Sequence, residues 1–312
     1  MRLTKKIVVG LIVLVFVAGV EIFSRFILGL GDPPLSISDE ELDYMFAPNQ
    51  DCMRFGNHVY YNNCSMRSDF PVNEKDDPEE RIFVVGDSVV NGGVLTDHRD
   101  LATTILQERV DATRSRVQVC HVSAGSWGPG NYAAYFRKYS NLVRTNDIII
   151  VELNSHDLWE DDPLNSKGAN VGKDIALPDH KPWCATWDGF DRYFIPRMRK
   201  WFGLLQVNTK IDVPKWEDDA DSESAKYNLT MLNELFSYPW VKKFLLIHRS
   251  REEARENQET VGERAFRRYA AANGIVIVTL KLDENTDYRD NIHLSSSGQR
   301  KMADTIVKAL MR

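Results

Sequence analysis

The chain has no basic excess. Lysine and arginine number 39 against 45 aspartates and glutamates, for a net charge of −6 at pH 7. No basic face is evident that could neutralise a phosphate backbone, so a nucleic-acid partner is not expected. Cysteine is scarce, with four in 312 residues. None forms a C-x-x-C pair or a close cluster with histidine, so no zinc site is expected, nor any other metal or cofactor. Internal repeats and low-complexity tracts are also missing. With 43% hydrophobic and 27% charged residues, the chain has globular proportions, and disorder is not the default. Its length suits one large domain or two small ones.

One long hydrophobic run stands out. After "MRLTKK" comes "IVVGLIVLVFVAGVEIFSRFILGL", from Ile7 to Leu30, roughly the length that crosses a bilayer as a helix. Glu21 and Arg25 interrupt it, but at a spacing of four they can pair on one helical face. Arg2, Lys5 and Lys6 precede the run and the acidic "SDEELD" follows it. That asymmetry predicts a cytoplasmic amino end and an extracytoplasmic remainder, periplasmic or extracellular. A cleaved signal peptide is the rival reading. "VAG" is a poor cleavage site, however, and apolar residues continue past Arg25, which favours an uncleaved anchor. In an exported domain the even cysteine count is compatible with disulfides. Cys52 and Cys64 flank a short loop-rich segment and are the preferred pair; Cys120 lies in an apolar strand and reads as core.

Three regions follow from these patterns: residues 1–31 as tip and anchor, 32–80 as an irregular stalk and amino-terminal wrap, and 81–312 as the functional domain. In the last, "RIFVVG", "VQVCHVSA", "DIIIVEL", "KFLLIH" and "GIVIVTL" are short, nearly continuous apolar runs, as strands covered on both faces should be. Helical stretches such as "LATTILQERV", "NYAAYFRKYSNLV" and "VGERAFRRYAAAN" separate them. The final helix begins near "SSGQRKMADTIVKALM", with Ser296 or Ser297 as its expected cap. Alternating strand and helix predicts an α/β fold, a parallel sheet between two helical layers. The link between the third and fourth strands is too long for a plain crossover. It is read as an insertion, 159–227, whose Trp183, Trp187, Trp201 and Trp216 are expected to cover part of the site. The acidic "EDDADSE" within it reads as a solvated loop.

In such sheets the chemistry gathers beyond the carboxyl ends of the strands. The first strand is followed by Gly86-Asp87-Ser88, the second by "SAGSWGPG", the third by "NSHD", and the fifth, after a short loop, by "DNIHLSSSG". A serine hydroxyl needs a base, and the base needs an orienting acceptor. His293 and Asp290, three apart before the last helix, can supply both to Ser88. Asp283, Glu284 and Asp287 are nearby alternatives to Asp290. An oxyanion hole needs backbone N–H groups where the chain can come close; Ser88 N–H and a glycine of "SAGSWGPG" meet that need.

At these residues the chain resembles the SGNH hydrolases, the GDSL-type esterase and acyltransferase superfamily. "VVGDSVVNGG" matches the nucleophile motif after the first strand and "DNIHLSSSG" the D-x-x-H motif before the last helix, from about Arg81 onward less the insertion. The resemblance implies a flavodoxin-like three-layer α/β/α sandwich, with Ser88 as nucleophile, His293 as base and Asp290 as its orienter. In the second loop it points to Gly128 as oxyanion donor, with Gly125 as alternative. In the third loop the family's asparagine falls on His156, since Asp157 matches the aspartate after it; Asn154 is the alternative donor. Asp87 reads as a brace of the turn. Trp127 and Trp159 follow site loops and either stack on a sugar ring or pack in the core. The expected activity is removal of O-acyl groups, acetyl foremost, from a carbohydrate by a membrane-anchored serine esterase. The alternatives are an O-acetyltransferase acting on an extracytoplasmic polysaccharide with a membrane acyl-transfer partner, and a degenerate module that only binds a glycan.

Overall fold

A computed structural model of the protein describes residues 2–72, 78–114, 116–159, 178–201 and 220–311. Helix α1, Arg2–Ile22, runs on through a wider turn, Phe23–Ile27. Within it the segment Lys5–Ile27 is 23 residues long with mean hydropathy 2.7, and is long and apolar enough to cross a membrane.

The region expected to be an irregular stalk folds as two antiparallel hairpins: β1, Ser36–Asp39, with β2, Asp43–Phe46, and β3, Gln50–Arg54, with β4, Asn57–Tyr61. Prolines, asparagines and acidic residues made this stretch read as loop. The hairpins nevertheless form because residues in them and at their ends have a core to cover. Leu42, Met45 and Met66 are buried in the same apolar cluster as Phe83 and Val85 of the central sheet.

That sheet comprises β5, Glu80–Gly86; β6, Val117–Ser123; β7, Ile148–Leu153; β8, Lys242–Ile247; and β9, Val276–Thr279. The strands lie in the order β6-β5-β7-β8-β9 and every neighbouring pair is parallel. Counted along the chain this is the 2-1-3-4-5 order of flavodoxin-like folds, whose switch point lies between the first and third strands. Successive side chains point to opposite faces of the sheet, so each strand feeds two cores. Phe83, Val85, Ile149, Val151, Leu245 and Ile247 pack on one face. There they meet α4, Pro129–Lys138; α7, Glu223–Ser237; and, beyond the short α8, Arg251–Glu256, α9, Val261–Ala272. Ile82, Val84, Ile148, Ile150, Phe244 and Leu246 pack on the other. Their partners are α2, Ser88–Asn91; α3, Ala102–Asp111; and α10, Ser296–Leu310. The fold is the expected α/β three-layer sandwich.

Two local expectations are corrected. The last helix is capped by Ser295, whose Oγ accepts from Gly298 N, rather than by Ser296 or Ser297. All four cysteines are free thiols, Cys52 and Cys64 included. Cys52 packs with Val59 and Tyr61 inside the second hairpin and donates to Val59 O, whereas Cys64 joins the main core beside Met66 and Tyr135. The short loop-rich segment between them is itself a hairpin, and it holds the two thiols in different clusters. Burial pushes the Cys52 thiol up to about 11 and raises Cys64 as well, so neither is primed as a thiolate.

Of the insertion 159–227, residues 160–177 and 202–219, including Trp216, lie outside the described residues, as does the side chain of Trp201. The described part holds α5, Ala185–Gly189, and α6, Ile195–Trp201, joined through Phe190–Phe194. It packs on the end of α1 and on the hairpins: Ser36 N donates to Pro178 O at 2.7 Å, and Arg54 Nη2 to Tyr193 Oη at 2.8 Å. Trp183 and Trp187, expected beside Ser88, instead stand exposed at the end of α1.

Candidate active site

Strand β5 ends at Gly86 because the next residues must turn sharply. A Cβ at Gly86 would sit 2.4 Å from Val90 Cγ2 and 2.8 Å from Glu152 Oε2, so no larger residue fits between the strand end and α2. Asp87 then caps α2, its carboxylate accepting from Val89 N at 2.7 Å. This is the bracing role read from the sequence. Ser88 is the first residue of the helix and half-buried.

The Ser88 hydroxyl lies 2.9 Å from His293 Nε2. The other ring nitrogen, Nδ1, lies 2.8 Å from Asp290 Oδ2 and 3.1 Å from Oδ1. The D-x-x-H spacing works because Asp290 Oδ1 also accepts from the Ile292 and His293 amides, at 3.0 and 2.8 Å. One tight turn thereby fixes both side chains. Partial burial alone would raise the Asp290 carboxyl; the two amides and the His293 ring hold it below the usual carboxylate range.

The neighbouring acids do other work. Asp287 is fully buried and accepts from Asp283 N at 2.6 Å and Ser297 Oγ at 2.7 Å while pairing with Lys301. Asp283 accepts from the Asn285 and Thr286 amides. Both stabilise the loop that carries Asp290. A second fastening comes from α10, where Gln299 accepts from Ala102 N at 2.9 Å and donates to Val89 O at 3.1 Å. One buried amide thus bolts α10, which follows His293, to α2, which begins at Ser88.

The second and third loops also come to the carboxyl edge of the sheet. Gly128 N–H donates to Asn131 Oδ1 at 2.9 Å, capping α4, and Gly125 O accepts from Tyr44 Oη at 2.7 Å. In the third loop Asn154 is buried, with Oδ1 accepting from His156 N at 2.8 Å and Nδ2 donating to Asp157 Oδ1 at 3.1 Å. Asp157 Oδ2 in turn accepts from Asn154 N at 2.7 Å. Asn154 and Asp157 therefore lock the turn, while His156 sits exposed on it. Trp127 and Trp159 are core residues, 2% and 6% exposed, and Trp127 Nε1 donates to Tyr44 O.

Sequence reasoning missed two parts of this region. Arg67 is buried beneath the loop after α2, its guanidinium donating to the carbonyls of Asn91, Gly93 and Thr96. Glu152 and His248 face each other inside the protein, both fully buried, with Oε1 and Nδ1 3.4 Å apart. Burial, reinforced by the charge of His293, pushes the His248 imidazole down to about 3, so it stays neutral at physiological pH. The only sequence signal for either was a charged residue within an otherwise apolar or turn-rich stretch.

No family pattern and no curated protein matches the chain. Solved structures do resemble it. An α/β hydrolase enzyme from the metagenome of Lake Arreo, Spain, is 14% identical with TM-score 0.46, covering 74% of this chain and 95% of its own. A member of the lipolytic G-D-S-L family from Veillonella parvula is 13% identical with TM-score 0.42, over 75% and 99%. An acetylxylan esterase from Geobacillus stearothermophilus is 11% identical with TM-score 0.42, over 75% and 95%. At this level of superposition the functional reading rests on the chain's own residues.

Proposed function

We propose that this chain is a membrane-anchored serine esterase of the SGNH type, which removes O-acyl groups, acetyl foremost, from a carbohydrate. The observation that carries the reading is the continuous relay from Ser88 Oγ through the His293 ring to Asp290. In the proposed mechanism Ser88 Oγ attacks the ester carbonyl carbon as its proton passes to His293 Nε2, with Asp290 steadying the imidazolium. The tetrahedral oxyanion is met by Ser88 N–H with Gly125, because Asn131 Oδ1 holds the Gly128 N–H, and with His156 or Asn154. Collapse expels the alcohol, which takes the proton back from His293 and leaves an acyl-Ser88. Water, activated by the same imidazole, then releases the acid and restores the serine.

The hairpins and the α5 segment gather the domain around the end of α1. That arrangement favours, as a second reading, transfer of the acyl group from a membrane partner to a sugar hydroxyl. The anchor is proposed to leave the amino end cytoplasmic and the domain extracytoplasmic. A glycan-binding module without catalysis would leave the relay idle.

The test is labelling and turnover. A fluorophosphonate probe should modify the wild-type chain at Ser88, and Ser88→Ala should lose both labelling and hydrolysis of p-nitrophenyl acetate, by roughly 10³-fold or more. Near wild-type turnover by the variant would remove Ser88 from the mechanism. Adding an oligosaccharide acceptor and measuring free acetate against acetylated sugar separates hydrolysis from transfer. On the same substrate, comparing His156→Ala with Asn154→Ala identifies the third donor, whose loss should cost kcat roughly 10²-fold or more.

A further inference from the structure

The end of α1 carries two charges where a membrane span would leave the bilayer, and one loop covers both. Arg25 donates to Glu21 Oε1 through Nε and Nη2, at 3.0 and 2.7 Å. The Glu21 carboxylate also accepts from Ala185 N and Thr186 N, each at 2.9 Å, and so caps α5. Arg25 Nη2 donates in turn to Trp183 O at 2.8 Å and Pro182 O at 3.3 Å. Gly189 lets the helix come close: a Cβ there would lie 2.5 Å from Leu30 Cδ1. The loop and helix are therefore fixed at the depth of Glu21 and Arg25.

From that position the segment turns aromatic side chains outward. Trp183 is 90% exposed and Trp187 60%. Trp187, Phe190 and Phe194 recur at the i, i+3, i+7 spacing of one helical face. Their rings stack in series, with centroids 5.8 and 4.8 Å apart. Asp188 and Arg192 pair with each other on another face, at 2.8 Å. Phe23 and Phe26, in the last turns of the candidate span, are exposed as well, so the apolar surface of the span continues into the aromatic face.

We infer that residues 183–194 lie in the headgroup boundary of a lipid bilayer and seat the catalytic domain on the membrane surface. This rests on the proposal that α1 spans the membrane. Three observations select lipid as the occupant: continuity with the span, bonds that hold the segment at the span's charged end, and tryptophan, the residue enriched where hydrocarbon meets headgroups. An aromatic face next to a polar one is the composition that lies in an interface rather than crossing it.

The test uses the full chain reconstituted in phosphatidylcholine vesicles whose acyl chains carry bromine either near the headgroups or at the bilayer centre. Helix α1 contains no tryptophan, so quenching reports on the domain. The signal of residues 183 and 187 is the difference between wild type and the Trp183→Phe, Trp187→Phe double variant. Both sites are exposed, so the fold is not at stake. Shallow bromine should quench this difference signal more than deep bromine. Absence of quenching, or stronger quenching from the centre, in a chain that resists carbonate extraction would overturn the inference while leaving the anchor intact. A chain that carbonate strips from the vesicles would overturn the anchor itself, and the seating with it.

Discussion

At the scale of single residues, the hydrogen-bonded set Ser88, His293 and Asp290 was legible because each member sits in a short motif. Gly86-Asp87-Ser88 and the D-x-x-H turn each carry their own hydrogen-bond logic, and strand order brings them together. The D-x-x-H spacing singled out Asp290 with Asp287 as an alternative, and the hydrogen bonds to His293 Nδ1 come from Asp290. Asp287 yields a pH prediction. Burial opposes its charge, but Lys301, Asp283 N and Ser297 hold its carboxyl below the usual range. A carboxylate depressed in the folded state stabilises above its unfolded value, about 3.9, and that contribution fades as pH falls through the lower folded value. Asp287→Asn should therefore destabilise the protein by about 1.5–3 kcal/mol at pH 7. Thermal unfolding of both proteins should show the gap closing below roughly pH 4. A gap independent of pH would mean that packing, not charge, is what Asp287 supplies.

At the scale of elements, the central strands were readable from their continuous apolar runs and the two hairpins were not. A strand covered on both faces announces itself in composition. Hairpins that cover a core with only a few side chains carry polar residues on their other face, so Tyr44 and Val59 gave no periodic signal strong enough to outweigh the surrounding asparagines and acids. Arg67 was hidden for the same reason, because its partners are backbone carbonyls that no sequence displays. It is the point of attachment between the segment after β4 and the loop following α2. Arg67→Met should leave those buried carbonyls without donors and cost about 3 kcal/mol or more, read as a lower denaturant midpoint. An unchanged midpoint would show that water or a neighbouring donor substitutes freely.

At the scale of the whole molecule, the hairpin region before Arg81 sends Leu42, Tyr44, Met45, Cys64 and Met66 into the domain's core. Tyr44 donates to Gly125 O, Asn131 Nδ2 to Leu42 O, and Tyr135 Oη to Cys64 O. The second site loop and the start of α4 thus rest on the hairpins. A soluble form comprising residues 32–312 should unfold in one cooperative transition by circular dichroism. One comprising residues 78–312 should lose that transition or aggregate, having bared the face that Leu42, Met45 and Met66 cover. Equal cooperativity in the two would make the hairpins an accessory. The insertion was the element least accessible to sequence reasoning: its tryptophans suggested a substrate cover, whereas Trp183 and Trp187 are held where α1 ends.

The bond between Ser88 and His293 joins residues 205 positions apart, and Gln299 reaches back 197 and 210 positions to fasten the same two regions. Ser88 therefore leaves the ribosome long before His293 is added to the chain. All five strands of the sheet, the last being Val276–Thr279, precede Asp290 and His293 in the chain. Under the proposed mechanism, a chain that ends before Asp290 would carry Ser88 without the relay and should hydrolyse no ester.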